Sequence, residues 1–270
     1  MKANQRKLGL GPGLALGVTS LWFSVLVLIP LAAVLASAAS GGWGGFWDVL
    51  SNGQTASAIR LTVLSALVIT LINVLVGTLL AWVLVRERFW GCSVLDLVID
   101  VPFALPTIVA GLVLLALYGA ESPLGINIAN TRTAVLFALA FVTLPFVVRT
   151  VQPVLETMER DVEEAAASLG ASWFTTFRRV VLPSLAPAIA AGAALSFARA
   201  ISEYGSLVLL SGNLPNHTEA ASVRVLTYIE TGDQSSAAAV AAVLLIVSLI
   251  VIVSLDLLQR RITRVAVADV

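Results

Sequence analysis

The sequence predicts an all-α integral membrane protein with six transmembrane helices and one folded cytoplasmic loop. Of its 270 residues, 59% are apolar and only 12% are charged, about half the charged share of a soluble domain. The 16 acids and 16 bases cannot supply the polar skin of a water-soluble globule, so the surplus apolar surface must face lipid. Six apolar runs each come close to or exceed the roughly 20 helical residues that cross a hydrocarbon core about 30 Å thick. Arginine and lysine gather on one side of those runs, which sets their orientation.

The first run, Leu14–Ala39, follows Lys2, Arg6 and Lys7 and ends in Ala36-Ser37-Ala38, which resembles a signal-cleavage site. A signal h-region spans only about 7–15 residues, so this longer run is expected to be a retained helix. Gly41-Gly42-Trp43-Gly44-Gly45 and Trp47 then suit the outer interface, where tryptophan is favoured. The second span is Leu61–Val85 and the third Val94–Tyr118. Pro102 and Pro106 remove helical donors from the third and must bend or break it. Such breaks mark translocation routes, yet prolines also serve as plain kinks in membrane helices; both readings stand. The remaining spans are Thr133–Val151, Leu185–Leu210 and Ala237–Leu258. In the fifth, Gly205 reads either as a hinge or as a site of close packing.

With the N-terminus inside, Lys2, Arg6, Lys7, Arg86, Arg88, Arg149, Arg160, Arg178, Arg179, Arg260, Arg261 and Arg264 are cytoplasmic, against Arg60, Arg132 and Arg224 outside. The positive-inside rule therefore puts both termini in the cytoplasm. Residues 1–13 and 259–270 become cytoplasmic tails around one membrane domain, 14–258.

Between spans four and five lies the only long inner loop, Gln152–Ser184. Leu155, Met158, Val162, Ala165 and Leu169 recur at steps of three and four, the pattern of one helical face. Gly170 suits the left-handed end of that helix, and Ser172 can cap a second one carrying Phe174, Phe177 and Val181, closed by Pro183. A helix lying on lipid headgroups would be basic, whereas this one is acidic from Glu156 to Glu164. A protein partner fits better, its groove taking the apolar side chains while its basic groups meet the acids.

Charges inside the spans are few. Arg199, midway along the fifth, has Glu203 one turn later on the same face. An ionisable group at that depth costs at least ~2.5–3.5 kcal/mol if it faces lipid; Arg199 either offers a passing dianion a partner or is neutralised by Glu203. Asp96 and Asp100 enter the third span near the level at which Arg149 leaves the fourth, so a structural Asp100–Arg149 pair is expected.

Several functions are excluded. A net charge of zero provides no field for nucleic acid. Lys2 and Lys7 are the only lysines, so no phosphate-binding loop of the G-x-x-x-x-G-K-[ST] kind exists. One histidine, His217, and one cysteine, Cys92, leave no metal site or disulfide. An intramembrane aspartyl protease would want carboxylates on facing helices, yet Asp96 and Asp100 share one. An ion-coupled secondary anion transporter stays open as an alternative of a different class; it would need midplane coupling groups, for which only Arg199 and Glu203 qualify, and it would leave the acidic inner loop without a purpose.

Glu164-Ala165-Ala166, Gly170, Val180, Leu182 and Pro183 match E-A-A-x3-G-x9-[IV]-x-L-P, which resembles the EAA motif of bacterial ABC-importer permeases. Asp100-Val101-Pro102-Phe103-Ala104-Leu105-Pro106-Thr107, the segment from Leu144 to Pro153, Glu203-Tyr204-Gly205-Ser206 and Ser211-Gly212-Asn213-Leu214-Pro215 resemble the T-type permease subunits of sulfate/thiosulfate importers. Molybdate permeases are close relatives and remain the alternative. The resemblance implies a type I ABC-importer fold in a bacterial inner membrane, and a non-catalytic subunit that binds no cofactor. It also implies pairing with a second, related permease above two copies of an ATPase that holds ATP and Mg, fed by an extracytoplasmic sulfate-binding protein. Glu164, Ala165, Ala166, Leu169, Gly170, Phe174, Leu182 and Pro183 would then couple the chain to the ATPase. Arg199, Glu203, Pro102 and Pro106 are the candidates for the pathway.

Overall fold

A computed structural model describes residues 10–268, the side chains of 10, 160, 162 and 261–268 excepted. Lys2, Arg6 and Lys7 lie outside the described residues, as do the side chains of Arg160, Arg261 and Arg264. Every regular element described is helical.

The first span is longer than the apolar run suggests. Helix α1 (Leu10–Phe23) passes through a π-helical turn at Ser24–Leu28 into α2 (Ile29–Ser40), where Pro30 takes one of the first helical positions. A short interfacial helix, α3 (Gly42–Ser51), carries Trp43 and Trp47 outward, stacked on each other. Asn52 then accepts the backbone N–H groups of Gln54 and Thr55 through its side chain, which starts α4 (Gly53–Arg86) eight residues before the apolar run.

The third span is broken. Helix α5 (Cys92–Ala104) and helix α6 (Thr107–Tyr118) meet at a bend of 118°. Proline disfavours helical geometry in the residue before it, and Leu105, ahead of Pro106, is extended (φ −92°, ψ 135°). Pro102 stays inside α5 and breaks nothing. At 12 residues α6 is about 18 Å long, too short to cross the bilayer alone.

Helix α7 (Arg132–Thr157) starts from a Thr131 cap and runs six residues beyond the predicted span. Helices α8 (Arg160–Ser168) and α9 (Trp173–Thr176) form the inner loop, and a π-helical turn at Phe177–Val181 leads directly into α10 (Leu182–Ile201). Pro183 therefore begins a span instead of closing a helix, which corrects the expectation. Leu182 N–H bonds to Phe177 O, a five-residue step that widens the helix just ahead of the proline ring and lets it continue unbroken. The predicted fifth span also divides: α10 ends at Ile201, Ser202–Tyr204 are non-helical, and α11 (Gly205–Leu210) follows. Helix α12 (Ala221–Glu230) packs against α4 and the long α13 (Gln234–Ala268) that follows it.

Helices α4, α7 and α10 form the centre, packed most closely where Gly77 and Gly192 both face Val147; a Cβ at Gly77 would come within 2.9 Å of that side chain. Two apolar cores are stacked along the bundle. The outer one includes Ile69, Leu139, Phe197 and Leu207, and the inner one Ala81, Val148, Val151, Leu155 and Leu185. Between them buried Asn73 donates to Thr143 Oγ1 at 2.7 Å, and Thr143 donates on to Leu139 O.

Candidate functional site

Side chains of the loop between α7 and α10 come together around the C-terminal ends of α4 and α7. The single face expected through Leu155, Met158 and Leu169 is not formed, because α7 stops at Thr157 and the chain extends through Met158 and Glu159. Leu155 is fully buried in the inner core, whereas Leu169 is 89% exposed. The cause lies 72 residues away: Arg86, the last residue of α4, donates from Nη2 to Met158 O at 3.2 Å and to Glu163 Oε1 at 2.7 Å. The carbonyl that would continue α7 is taken by a guanidinium.

Helix α8 then begins with Asp161 and Glu163 in its first turn, where acids oppose the positive end of the helix dipole. It ends at Gly170, whose φ of +83° suits glycine. Ala171 N–H reaches Ala166 O and Gly170 N–H reaches Ala167 O, the paired bonds of a Schellman turn. Ser172 Oγ caps α9 by accepting Thr175 N–H. Phe177 and Val181 turn inward as expected, but Phe174 does not share their face and is exposed. Trp82 of α4 accounts for this: its ring meets Trp173 and Phe177 edge-on, at centroid distances of 6.4 and 5.7 Å, and those two stack on each other. Glu164, Ala165, Leu169, Trp173 and Phe174 are left on one exposed surface of mixed acidic and apolar character; Ala166 and Pro183 are half-buried, and Leu182 is more open than either.

Arg149 ties α5 to α7 with more partners than the single pair expected. Its Nε donates to Asp100 Oδ1 and its Nη1 to Asp96 Oδ1, both at 2.7 Å, while Nη2 reaches Asp96 O and Asp100 Oδ2. Gln152 accepts a further bond from Nη1. The fork engages both carboxylates of α5, a planar geometry that lysine could not reproduce.

Near the centre Arg199 Nη2 lies 2.6 Å from Glu203 Oε2. They do not share a helical face along one span, as expected; α10 has ended between them, and Glu203 occupies the break. Its Oε1 accepts both N–H and Oγ–H of Ser206, which holds the start of α11, and its carbonyl accepts Ser222 Oγ–H. Gly205 packs closely: a Cβ there would collide with Thr107 Oγ1, at the first residue after the Pro106 break. The two interrupted helices therefore meet, bringing Pro106 and Glu203 into one region with Pro102 a turn away.

Beside the N-terminal parts of α4 and α7 a cavity of about 590 Å³ opens, with Arg60, Arg132, Ser57 and Ser65 in its lining. Arg132 also donates to His217 O, while the His217 side chain is exposed. Among the described residues no cluster of His, Cys, Asp and Glu could hold a metal ion.

Sequence reasoning counted Arg86 only as a cytoplasmic base and passed over Trp82 and Asn73. Spacing could not have found them, because each acts on a partner 70 or more residues away.

Comparison with known proteins agrees with this architecture. The family described as binding-protein-dependent transport system inner membrane component matches residues 73–264. The chain is 40% identical to the sulfate transport system permease protein CysT of Salmonella typhimurium, covering 98% of each chain. It is 45% identical to the protein of the same name from Synechocystis sp., over 90% of this chain and 87% of that one. Among solved structures, a subunit of a bacterial alginate ABC transporter in complex with an alginate-bound periplasmic protein superposes with a TM-score of 0.75. It shares 18% identity and covers 92% of this chain and 93% of its own. A subunit of the MetNI methionine ABC transporter gives a TM-score of 0.55 over 76% of this chain and 96% of its own, at 16% identity.

Proposed function

The chain belongs to the family of binding-protein-dependent transport system inner membrane components, and from that premise we propose that it forms half of the pathway of an ATP-driven importer for sulfate or thiosulfate. It is a multi-pass, non-catalytic permease subunit that works with the other components of an ABC importer. The observation that carries the anion assignment is the 40–45% identity to sulfate permease proteins over about nine-tenths of the chain or more. Arg60 and Arg132 in the outer cavity are consistent with an anionic cargo, since paired cations at a low-dielectric mouth raise the local anion concentration.

In this reading the chain pairs with a second, related permease above two copies of an ATP-binding subunit, and an extracytoplasmic binding protein delivers the anion to the outer loops. Both termini lie in the cytoplasm of a bacterial inner membrane. ATP and Mg belong to the partner. The surface of Glu164, Leu169 and Phe174 docks into the ATPase, the Schellman turn at Gly170 sets the angle between α8 and α9, and closure of the ATPases rocks the spans between inward- and outward-open states. Arg199 and Glu203 neutralise each other; their role is to hold the α10–α11 break in shape, which favours this reading over an ion-coupled transporter that would need a free midplane charge.

ATP-dependent uptake by the reconstituted complex, with sulfate, thiosulfate, molybdate and tungstate compared, tests the proposal. Sulfate and thiosulfate uptake that stops without ATP is expected. Preference for molybdate would reassign the cargo, and uptake driven by an ion gradient alone would refute the importer reading.

A further inference from the structure

The geometry points to Arg86 and Trp82 as positioning residues that make α4 the element through which the inner loop moves the spans. The loop has two halves, and α4 grips both. Arg86 Nη2 holds the first, through Glu163 Oε1 at 2.7 Å and Met158 O at 3.2 Å. Trp82, one turn earlier on the same face, holds the second through Trp173 and Phe177. The Arg86 guanidinium lies 5.9 Å from the centre of the Trp82 ring, so the two grips are joined. Arg86 is 8% exposed and Glu163 22%, a largely desolvated pair that resists screening.

A push on α8 or α9 therefore reaches α4 without passing along the chain through α7 or α10. Helix α4 carries it to the waist where Gly77 meets Val147 and Asn73 meets Thr143. Glu163 is the residue before the E-A-A triplet and points into the protein, whereas Glu164 is exposed. The acids divide the work, one toward the spans and one toward the partner. This inference rests on the docking reading above, and its test separates the two.

The reconstituted complex is assayed with Arg86→Glu, Glu163→Arg and the double exchange. Each single variant is expected to lower ATP-driven sulfate uptake about fivefold or more and to raise the ATP hydrolysed per anion imported by a similar factor, with the ATPase still co-purifying. The double exchange restores opposite charges and recovers at least half of the lost uptake. A smaller loss in the singles, or a double variant no better than they are, overturns the proposal. Should Arg86→Glu fail to accumulate, Glu163→Gln decides: uptake reduced about threefold with the ATPase bound supports the grip, and unchanged uptake overturns it. Leu169→Asp tests the docking surface separately. If that variant retains the ATPase fully, the docking reading fails whatever the Arg86 variants do.

Discussion

Arg149 satisfies two carboxylates with one guanidinium, so its substitutions are not equivalent to theirs. Asp100→Asn leaves Asp96 in place, and the reverse holds as well. Each is expected to cost less than about 1 kcal/mol, because all three side chains are partly exposed and the interaction is screened. Arg149→Gln instead leaves two acids one turn apart on α5 with no cation between them and α7, and should cost about 1–2 kcal/mol. The thermal unfolding midpoint in detergent checks the order: Arg149→Gln well below the two aspartate variants. Equal midpoints would mean that the fork holds nothing. Reversing both charges, Asp100→Arg with Arg149→Asp, should recover stability lost in Arg149→Asp alone, since the new arginine still has Asp96 nearby.

At the level of elements, the two prolines of the third span differ although their composition is the same. Pro106 keeps Leu105 out of the helical region, and removing it lifts that restriction. Pro106→Ala is expected to straighten the 118° bend. Spin labels at Ser93 and Glu121 should move apart, and uptake should fall because α6 leaves α11. Pro102→Ala restores a donor inside an existing helix and should leave the label distance unchanged. What could be read in advance was local. Gly170 and Ser172 announce a helix end and a helix start by their own chemistry, and the structure has both. Apolar length alone located five helices long enough to cross a membrane, and the sixth predicted span is the sharply bent α5–α6 pair. The break at Ser202–Tyr204 was not, because neither proline nor glycine marks its start; it is stabilised by Glu203 bonding forward to Ser206 and across to Ser222. Pro183 was misread because the π-helical turn that accommodates it leaves no signature in periodicity. Arg86 was invisible as a clamp because its partner lies 77 residues along the chain.

For the whole molecule, the chain's single thiol offers a test of orientation. Cys92 is half-buried at the start of α5, its thiol beside Leu84 O near the C-terminal end of α4, and His217 is exposed at the opposite end. A membrane-impermeant maleimide should label Cys92 only from the cytoplasmic face. In a Cys92→Ser background, His217→Cys should be labelled only from outside, and the reverse pattern would invert the topology. The same view gives meaning to the first span, which is almost wholly uncovered by the rest of the chain. It is held chiefly by Ala38 and Val34 against Ala238 and Ala242 of α13, so an early helix is secured by a much later one. During synthesis it must wait in the bilayer while everything between is built. A perimeter of leucine, valine and tryptophan makes that wait harmless, since lipid already solvates it. Completion of the fold is then signalled by two alanine-lined surfaces closing on each other, with little apolar surface left to hide.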